Sequence, residues 1–182
     1  LAIIVLTLAS YGVVLAIAVA MWLLENLLAN YNVKKLLALG TSVSETQFHD
    51  IEHTLAQICE KAGVKTIPHI IILNESSGNA FAVKIARKKV IVLYRELIEE
   101  MVDKPGELGF LLGHELAHII LDHGARGVFE RYKPNPYKAA RELTCDNFGL
   151  LCSGDLEASK TVLKKLCVGN KLHGKLDENH LA

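Results

Sequence analysis

Residues 108–121 read LGFLLGHELAHIIL, an apolar run with a His-Glu-x-x-His pattern at its centre. The spacing of its apolar residues predicts a buried helix. His114 and His118 are four apart, so they project from one face of that helix, one turn from each other. This arrangement allows two imidazoles to bind one zinc ion at about 2.0–2.1 Å each. A metal also explains two histidines on an apolar helix, where unpaired imidazoles would be costly.

Glu115 directly follows the first of these histidines in the sequence. A carboxylate at this position can reach a water molecule bound by the metal and act as a general base, while the metal polarises a substrate carbonyl. The segment therefore predicts metal-assisted hydrolysis, with Glu115 activating the attacking water.

A catalytic zinc site usually has three protein ligands and one position open to water, so a third ligand is expected. His123 is a poor candidate, because on a continued helix it lies five residues past His118, about 140° around the axis. Position 121 is Leu, so the metzincin pattern with its glycine does not fit either. Glu142 on the next predicted helix is the better candidate. Asp146 shares its face and can fix the tautomer of a ligating histidine through a hydrogen bond.

Three segments together resemble a known family, the HtpX-like membrane zinc metallopeptidases, which are relatives of the CAAX prenyl proteases. They are His-Glu-Leu-Ala-His at 114–118, Glu-x-x-Cys-Asp within 142–146, and Asn-Ala-Phe-Ala at 79–82. The resemblance extends over roughly residues 44–168. It implies an α+β fold, a mainly helical zincin-type metallopeptidase domain with a small β-hairpin or sheet.

The resemblance also implies a role for each matching residue. His114, His118 and Glu142 correspond to the ligands of one Zn²⁺ per chain, Glu115 to the base, and Asp146 to a residue that supports a ligand. The segment Asn79, Ala80, Phe81 and Ala82 corresponds to an edge strand that pairs with the substrate backbone. An exposed strand edge offers unpaired N–H and C=O groups to an extended peptide, which agrees with that role.

One feature of the family is missing from this sequence. Many members have a later His-Pro segment with an arginine, which is thought to help hold the reacting carbonyl. Here the later histidines are His173 and His180, in a polar tail without that pattern, and we interpret both as surface residues. The group that assists the zinc is unassigned, and the possible residues are Arg126, Arg131, Arg141 and Tyr132.

The N-terminal residues 1–24 contain no charged residue, and Trp22 lies near their end. As a helix they would extend about 36 Å, enough to cross a hydrocarbon core of about 30 Å. The alternatives are a buried core helix and a secretory signal peptide, but the apolar core of a signal peptide would be only about 7–15 residues long. We therefore expect a single-pass membrane helix. Lys34 and Lys35 follow it closely, which favours the cytoplasmic side for the catalytic domain.

The rest of the chain divides into a connector at 25–43, a metallopeptidase domain at 44–168 and a polar, loosely ordered tail at 169–182. Two capping-box patterns, Ser42-x-x-Glu45 and Ser44-x-x-Gln47, predict a helix start near residue 42 or 44, and Gly63 fits its end. Strands are predicted at 69–73, 80–85 and 90–94, and further helices at 95–101, 106–122, 137–152 and 155–168, the last with Asp155 as its cap.

Composition narrows the class of protein further. The 182 residues have a formal net charge of +0, which argues against nucleic-acid binding. The four cysteines form no C-x-x-C pair and are interpreted as free, buried thiols in a reducing compartment.

The expected partners are a protein or peptide substrate, the membrane, and possible membrane-protein complexes. The alternative is a catalytically silent subunit that keeps the peptidase fold and serves assembly; a purely structural zinc would require four protein ligands.

Overall fold

A computed structural model describes residues 2–74, 80–85, 88–121 and 134–176. The chain divides into two compact units, Leu1–Ala38 and Leu39–Ala182, and each is described by itself. The first is formed by helix α1 (Ala2–Leu39) up to Ala38, and this helix continues well past residue 24. Within the described part of the chain, α1 is the one helix long and apolar enough to cross a membrane, over Tyr11–Leu28.

The second unit is built on a four-stranded sheet. Its strands are β1 (Thr41–Ser42), β2 (His69–Leu73), β3 (Ala80–Ile85) and β4 (Lys88–Tyr94). They lie in the order β1-β2-β4-β3, and β2 runs parallel to β4. The three longer strands begin and end within two residues of their predicted bounds.

Strand β3 forms the predicted hairpin with β4 and lies at one edge of the sheet. The two strands pair antiparallel, with Ala82 opposite Ile91. Among the described strands, none pairs with the other side of β3. The backbone groups on that side are therefore available to a peptide or to a side chain from another element.

Helix α2 (His49–Lys61) begins later than the sequence predicted. The capping-box interpretation is wrong, because Ser44 and Gln47 exchange two backbone hydrogen bonds of 2.8 Å in a turn before the helix. The side-chain amide of Gln47 donates a hydrogen bond of 2.6 Å to the carbonyl of Ser42 instead of capping a helix. Phe48, at the N-cap, has a φ of 62°. The predicted end is confirmed, since Gly63 follows the C-cap with a φ of 68°.

Helix α4 (Pro105–Ile120) is the centre of the second unit, and most of its residues are buried. It contacts α2, β3, β4, α5 (Asn135–Ser153) and α6 (Leu156–Val168). It follows α3 (Arg95–Ile98), which is shorter than the helix predicted at 95–101. Because α4 is packed among these five elements, its near-continuous apolar sequence is explained by burial.

Small residues allow α4 and α5 to approach each other closely. An added Cβ at Gly149 would lie 2.8 Å from the carbonyl oxygen of Phe110 and 3.1 Å from its ring. An added Cβ at Gly113 would lie 2.7 Å from the side chain of Cys152. The short separation at Gly149 involves backbone, which cannot move aside as a flexible side chain can.

We expect Gly149→Ala to lower the free energy of unfolding by about 1–3 kcal/mol, the usual cost of overpacking. The clash would push α5 away from α4, and the intrinsic preference of alanine for helix only partly offsets this. Urea denaturation measures the change. Gly174→Ala is the matched control, since nothing lies within 4 Å of a Cβ added there. Equal stability of the two variants would contradict a tight α4–α5 contact.

Helix α6 begins as predicted, with the Asp155 carboxylate accepting from the Ala158 amide at 3.0 Å. The first residues of the tail differ from the prediction of loose order. Asn170 is buried and its side-chain amide donates to the carbonyl of Glu96. A short 3₁₀ turn, His173–Lys175, follows. The tail through residue 176 therefore continues the fold, because Asn170 ties it to α3.

The four cysteines are free, as predicted, but they are not all buried. Cys59 and Cys145 are buried, Cys152 is half-buried and Cys167 is exposed. The pKa of the Cys145 thiol is raised to about 12, mainly by burial and further by nearby carboxylates, with Arg141 acting in the opposite direction. This thiol therefore stays protonated at neutral pH.

Candidate metal centre

Three side chains on α4 and α5 bring one ligand atom each to a common point. The Nε2 atoms of His114 and His118 lie 3.1 Å apart. The Oε2 atom of Glu142 lies 3.7 Å from the first and 3.4 Å from the second. Ligands at about 2.0–2.1 Å from a tetrahedral zinc would be separated by about 3.3–3.4 Å. The donor types and their spacing therefore fit a zinc ion.

The position of this cluster follows from the packing of two helices. The i, i+4 spacing places both histidines on one face of α4, and α5 packs along that face with Glu142 directed at them. A second pair with the same spacing, His49 and His53, is exposed on α2. Among the described residues only the cluster on α4 and α5 has three candidate ligands together. The third ligand thus distinguishes a metal site from a pair of surface histidines.

Asp146 lies behind the first histidine, on the side away from the cluster. Its Oδ1 atom is 2.9 Å from Nδ1 of His114, close enough for a hydrogen bond, although the two groups are not aligned for one in this structure. Burial lowers the pKa of His114, but Asp146, Glu115 and Glu142 raise it, and the net pKa lies above the ordinary value of 6.5. A proton held on Nδ1 toward Asp146 leaves Nε2 free to bind a metal.

Glu115 lies beside the cluster and is 4% exposed. The pKa of its carboxyl is raised from 4.5 to about 7. Burial is the largest cause, His114 lowers the pKa, Glu142 raises it, and a hydrogen bond from the backbone N–H of Ala82 lowers it. The Oε2 atom is buried without a hydrogen-bond partner among the described residues. A pKa near neutral pH suits a general base, and the unpartnered oxygen is available to a water molecule.

The cluster opens into a cavity of about 430 Å³ bordered by strand β3. The predicted substrate-binding residues Ala80, Phe81 and Ala82 line it, whereas Asn79 lies outside the described residues. The hydrogen bond from Ala82 to Glu115 shows that the unpaired side of β3 faces the candidate base. The structure therefore brings the edge strand, the candidate base and the three candidate ligands together.

Three further residues line the cavity, namely Arg141, Leu163 and Leu166. From the sequence, Arg141 was one of four candidates for the group that assists the zinc. No role could be predicted for the two leucines, because helical periodicity does not show which face of α6 borders a cavity. His173, bonded through Nδ1 to the carbonyl oxygen of Asn170 at 2.6 Å, is half-buried and does not line the cavity. The other histidines and assisting residues that the sequence singled out lie outside the described residues: His123, His180, Arg126, Arg131 and Tyr132.

We expect Asp146→Asn to weaken zinc affinity or turnover by about 10–100-fold while the fold is kept. Asparagine is nearly isosteric, but its neutral amide oxygen accepts a weaker hydrogen bond from Nδ1 of His114 than a carboxylate does, and its NH₂ group can favour the opposite tautomer. Zinc titration and peptide turnover measure the effect, with circular dichroism to check the fold. Asp50→Asn on the exposed face of α2 is the control. Wild-type zinc affinity together with wild-type turnover would remove Asp146 from the site.

Comparison with known proteins adds an independent line of evidence. The family described as peptidase family M48 matches residues 45–135, which is half of the chain. The match includes both histidines of α4 and ends before Glu142. The plastoglobule-localized metallopeptidase 48, chloroplastic, of Arabidopsis thaliana is 29% identical over 157 residues, covering 72% of this chain. The chain spans only 44% of the length of that relative. No solved structure shows a significant match.

Proposed function

The chain belongs to peptidase family M48, and from this premise we propose that it is a membrane-anchored, zinc-dependent endopeptidase that hydrolyses peptide bonds of protein substrates. Membership of the family supports a metallopeptidase. The observation that carries the finer proposal is the triangle formed by His114, His118 and Glu142, with the buried carboxyl of Glu115 beside it and an open strand edge along the same cavity.

In this proposal each residue has one task. Zinc held by His114, His118 and Glu142 would polarise the substrate carbonyl and lower the pKa of the attacking water. Glu115 removes a proton from that water and passes it to the nitrogen of the leaving amine. Asp146 keeps the ring of His114 in the tautomer that leaves Nε2 free.

Strand β3 orients the peptide in the cavity. An extended substrate can pair with the open side of the strand through backbone hydrogen bonds, which are independent of substrate sequence. The N–H of Ala82 already faces this side, since it donates to Glu115. The paired peptide would then lie across the cavity with one of its carbonyl groups close to the metal centre.

The membrane part of the proposal is supported by α1. Its segment Tyr11–Leu28 contains Glu25 as the one charged residue and has the length of a bilayer span. Lys34 and Lys35 follow it, which favours a cytoplasmic catalytic domain. The relative is named for a location in chloroplast plastoglobules. Fractionation with carbonate extraction, followed by protease protection, tests anchoring and sidedness.

Cleavage of casein and of a broad peptide library by the full chain in detergent tests the enzymatic proposal. We expect activity that a chelator abolishes and zinc restores. The absence of cleavage by fully zinc-loaded protein across the library would contradict the proposal and favour a silent subunit with an assembly role. Activity that survives complete removal of metal would contradict the zinc mechanism.

A further inference from the structure

The cavity at the metal centre has two chemically different walls. The side formed by α4 and α5 is polar, with both histidines, Arg141 and the three carboxyl groups. The side formed by α6 contributes only Leu163 and Leu166. These leucines are three residues apart and therefore share one face of the helix. Both are half-buried, which leaves part of each side chain exposed toward the cavity.

The apolar wall is held in place by the rest of α6. Between the two leucines in sequence lies Lys165, which is 0% exposed. Its Nζ atom contacts Glu107 Oε2 at 2.6 Å, and this carboxylate belongs to the first turn of α4. Leu163 and Leu166 also pack against the hydrophobic core of the unit. The same helix α4 thus fixes the metal-site histidines and the position of α6, so the wall is formed before a substrate binds.

The position of this wall determines which part of a substrate can contact it. Strand β3 holds a backbone, and the metal centre is the reaction point, in one cavity of about 430 Å³. A cavity of this size has room for the substrate backbone and few of its side chains. The substrate residue that contacts α6 is therefore next to the scissile bond. An apolar side chain would bury surface against the leucines, whereas a charged one would lose water without gaining a partner on this wall.

We propose that Leu163 and Leu166 are specificity-determining residues that select substrates with a large apolar side chain directly beside the scissile bond. This inference rests on the proposed peptidase function and goes beyond it by defining the substrate class. A Leu, Ile, Met or Phe at that position is preferred over Ala by about 10–100-fold, the range expected for a hydrophobic pocket. An acidic side chain is disfavoured there, because the leucines offer it no polar partner.

The test uses one peptide library and two readouts on the zinc-loaded full chain. Cleavage specificity is measured on the wild-type protein, and peptide affinity is measured on Glu115→Gln, which should bind without cleaving. In both backgrounds Leu163→Ala/Leu166→Ala should reduce the apolar preference by about 10-fold or more. Leu166→Lys should shift the preference toward Glu and Asp at the same position. Leu156→Ala is the matched control, since this exposed leucine of α6 does not line the cavity.

The outcomes separate this inference from the proposed function. If cleavage occurs but folded variants keep the wild-type profile, or if the wild type prefers acidic residues, the specificity assignment is wrong and the peptidase proposal stands. If no peptide is cleaved but Glu115→Gln binds apolar peptides and loses that selectivity in the leucine variants, the peptidase proposal fails and the apolar subsite stands. Unselective binding to Glu115→Gln would overturn the subsite. Melting temperatures show that each variant is folded.

Discussion

Replacing Glu115 with glutamine is expected to reduce peptide turnover by at least about 10²–10⁴-fold, the usual contribution of a general base. Glutamine keeps the volume of the side chain and can still accept a hydrogen bond from Ala82 through its amide oxygen. It cannot take a proton from water near neutral pH. The variant should therefore still bind one zinc ion, and its zinc-bound form should melt at nearly the wild-type temperature. Only the chemical step should be slowed.

The comparison that isolates this effect uses a second glutamate. Glu157→Gln changes a carboxylate of α6 whose side chain is 78% exposed, and it should leave turnover unchanged. Single-turnover kinetics on both variants distinguish a slow chemical step from slow product release. If Glu115→Gln cleaves as fast as the wild type, Glu115 is not the base, whatever its burial and its position beside the cluster.

Removing the metal ligands should abolish both zinc binding and cleavage. His114→Ala/His118→Ala removes two of the three candidate ligands, and a single remaining carboxylate cannot hold zinc against water. Metal analysis of the purified protein should fall from about one zinc per chain to about none. Glu142→Gln is the milder variant, because the side chain of Glu142 is 54% exposed and its replacement should not disturb the core.

The chain supplies its own control for this experiment. His49→Ala/His53→Ala removes an exposed pair with the same i, i+4 spacing, whose rings stack with centroids 5.5 Å apart. This variant should keep the zinc and the activity of the wild type. Stoichiometric zinc in His114→Ala/His118→Ala would refute the assignment, and equal loss of zinc in both double variants would show that the measurement reports histidine content in general.

Some features of the site could be predicted from local sequence alone. The spacing of His114 and His118 is fixed by the helix, and Asp155 caps the next helix after α5 because its side chain reaches an amide three residues on. The assignment of Glu142 as the third candidate ligand required either the family resemblance or an assumption about how α4 and α5 pack. Its approach to within 3.4 Å of His118 depends on the small residues between α4 and α5.

Other features depend on tertiary contacts that no local pattern contains. The capping-box pattern at Ser44 and Gln47 was misleading, because the same residues satisfy each other in a turn. The tail was expected to be loosely ordered, but the side chain of Asn170 donates a hydrogen bond to the carbonyl of Glu96, which lies 74 residues earlier in the sequence. Likewise, the direction in which Leu166 points depends on how α6 packs on α4, and the hydrogen bond from Ala82 to Glu115 joins a strand to a helix.

The central claim is that two histidines and one glutamate hold a zinc ion with a position left for water. X-ray absorption at the zinc edge, on the zinc-loaded full chain, tests this claim most directly. We predict about four light ligands near 2.0–2.1 Å, with multiple scattering from two imidazole rings and no sulfur. A sulfur shell near 2.3 Å would place a thiolate such as Cys145 on the metal, and a spectrum with fewer than two imidazoles would remove His114 or His118. Either result would contradict the proposed site.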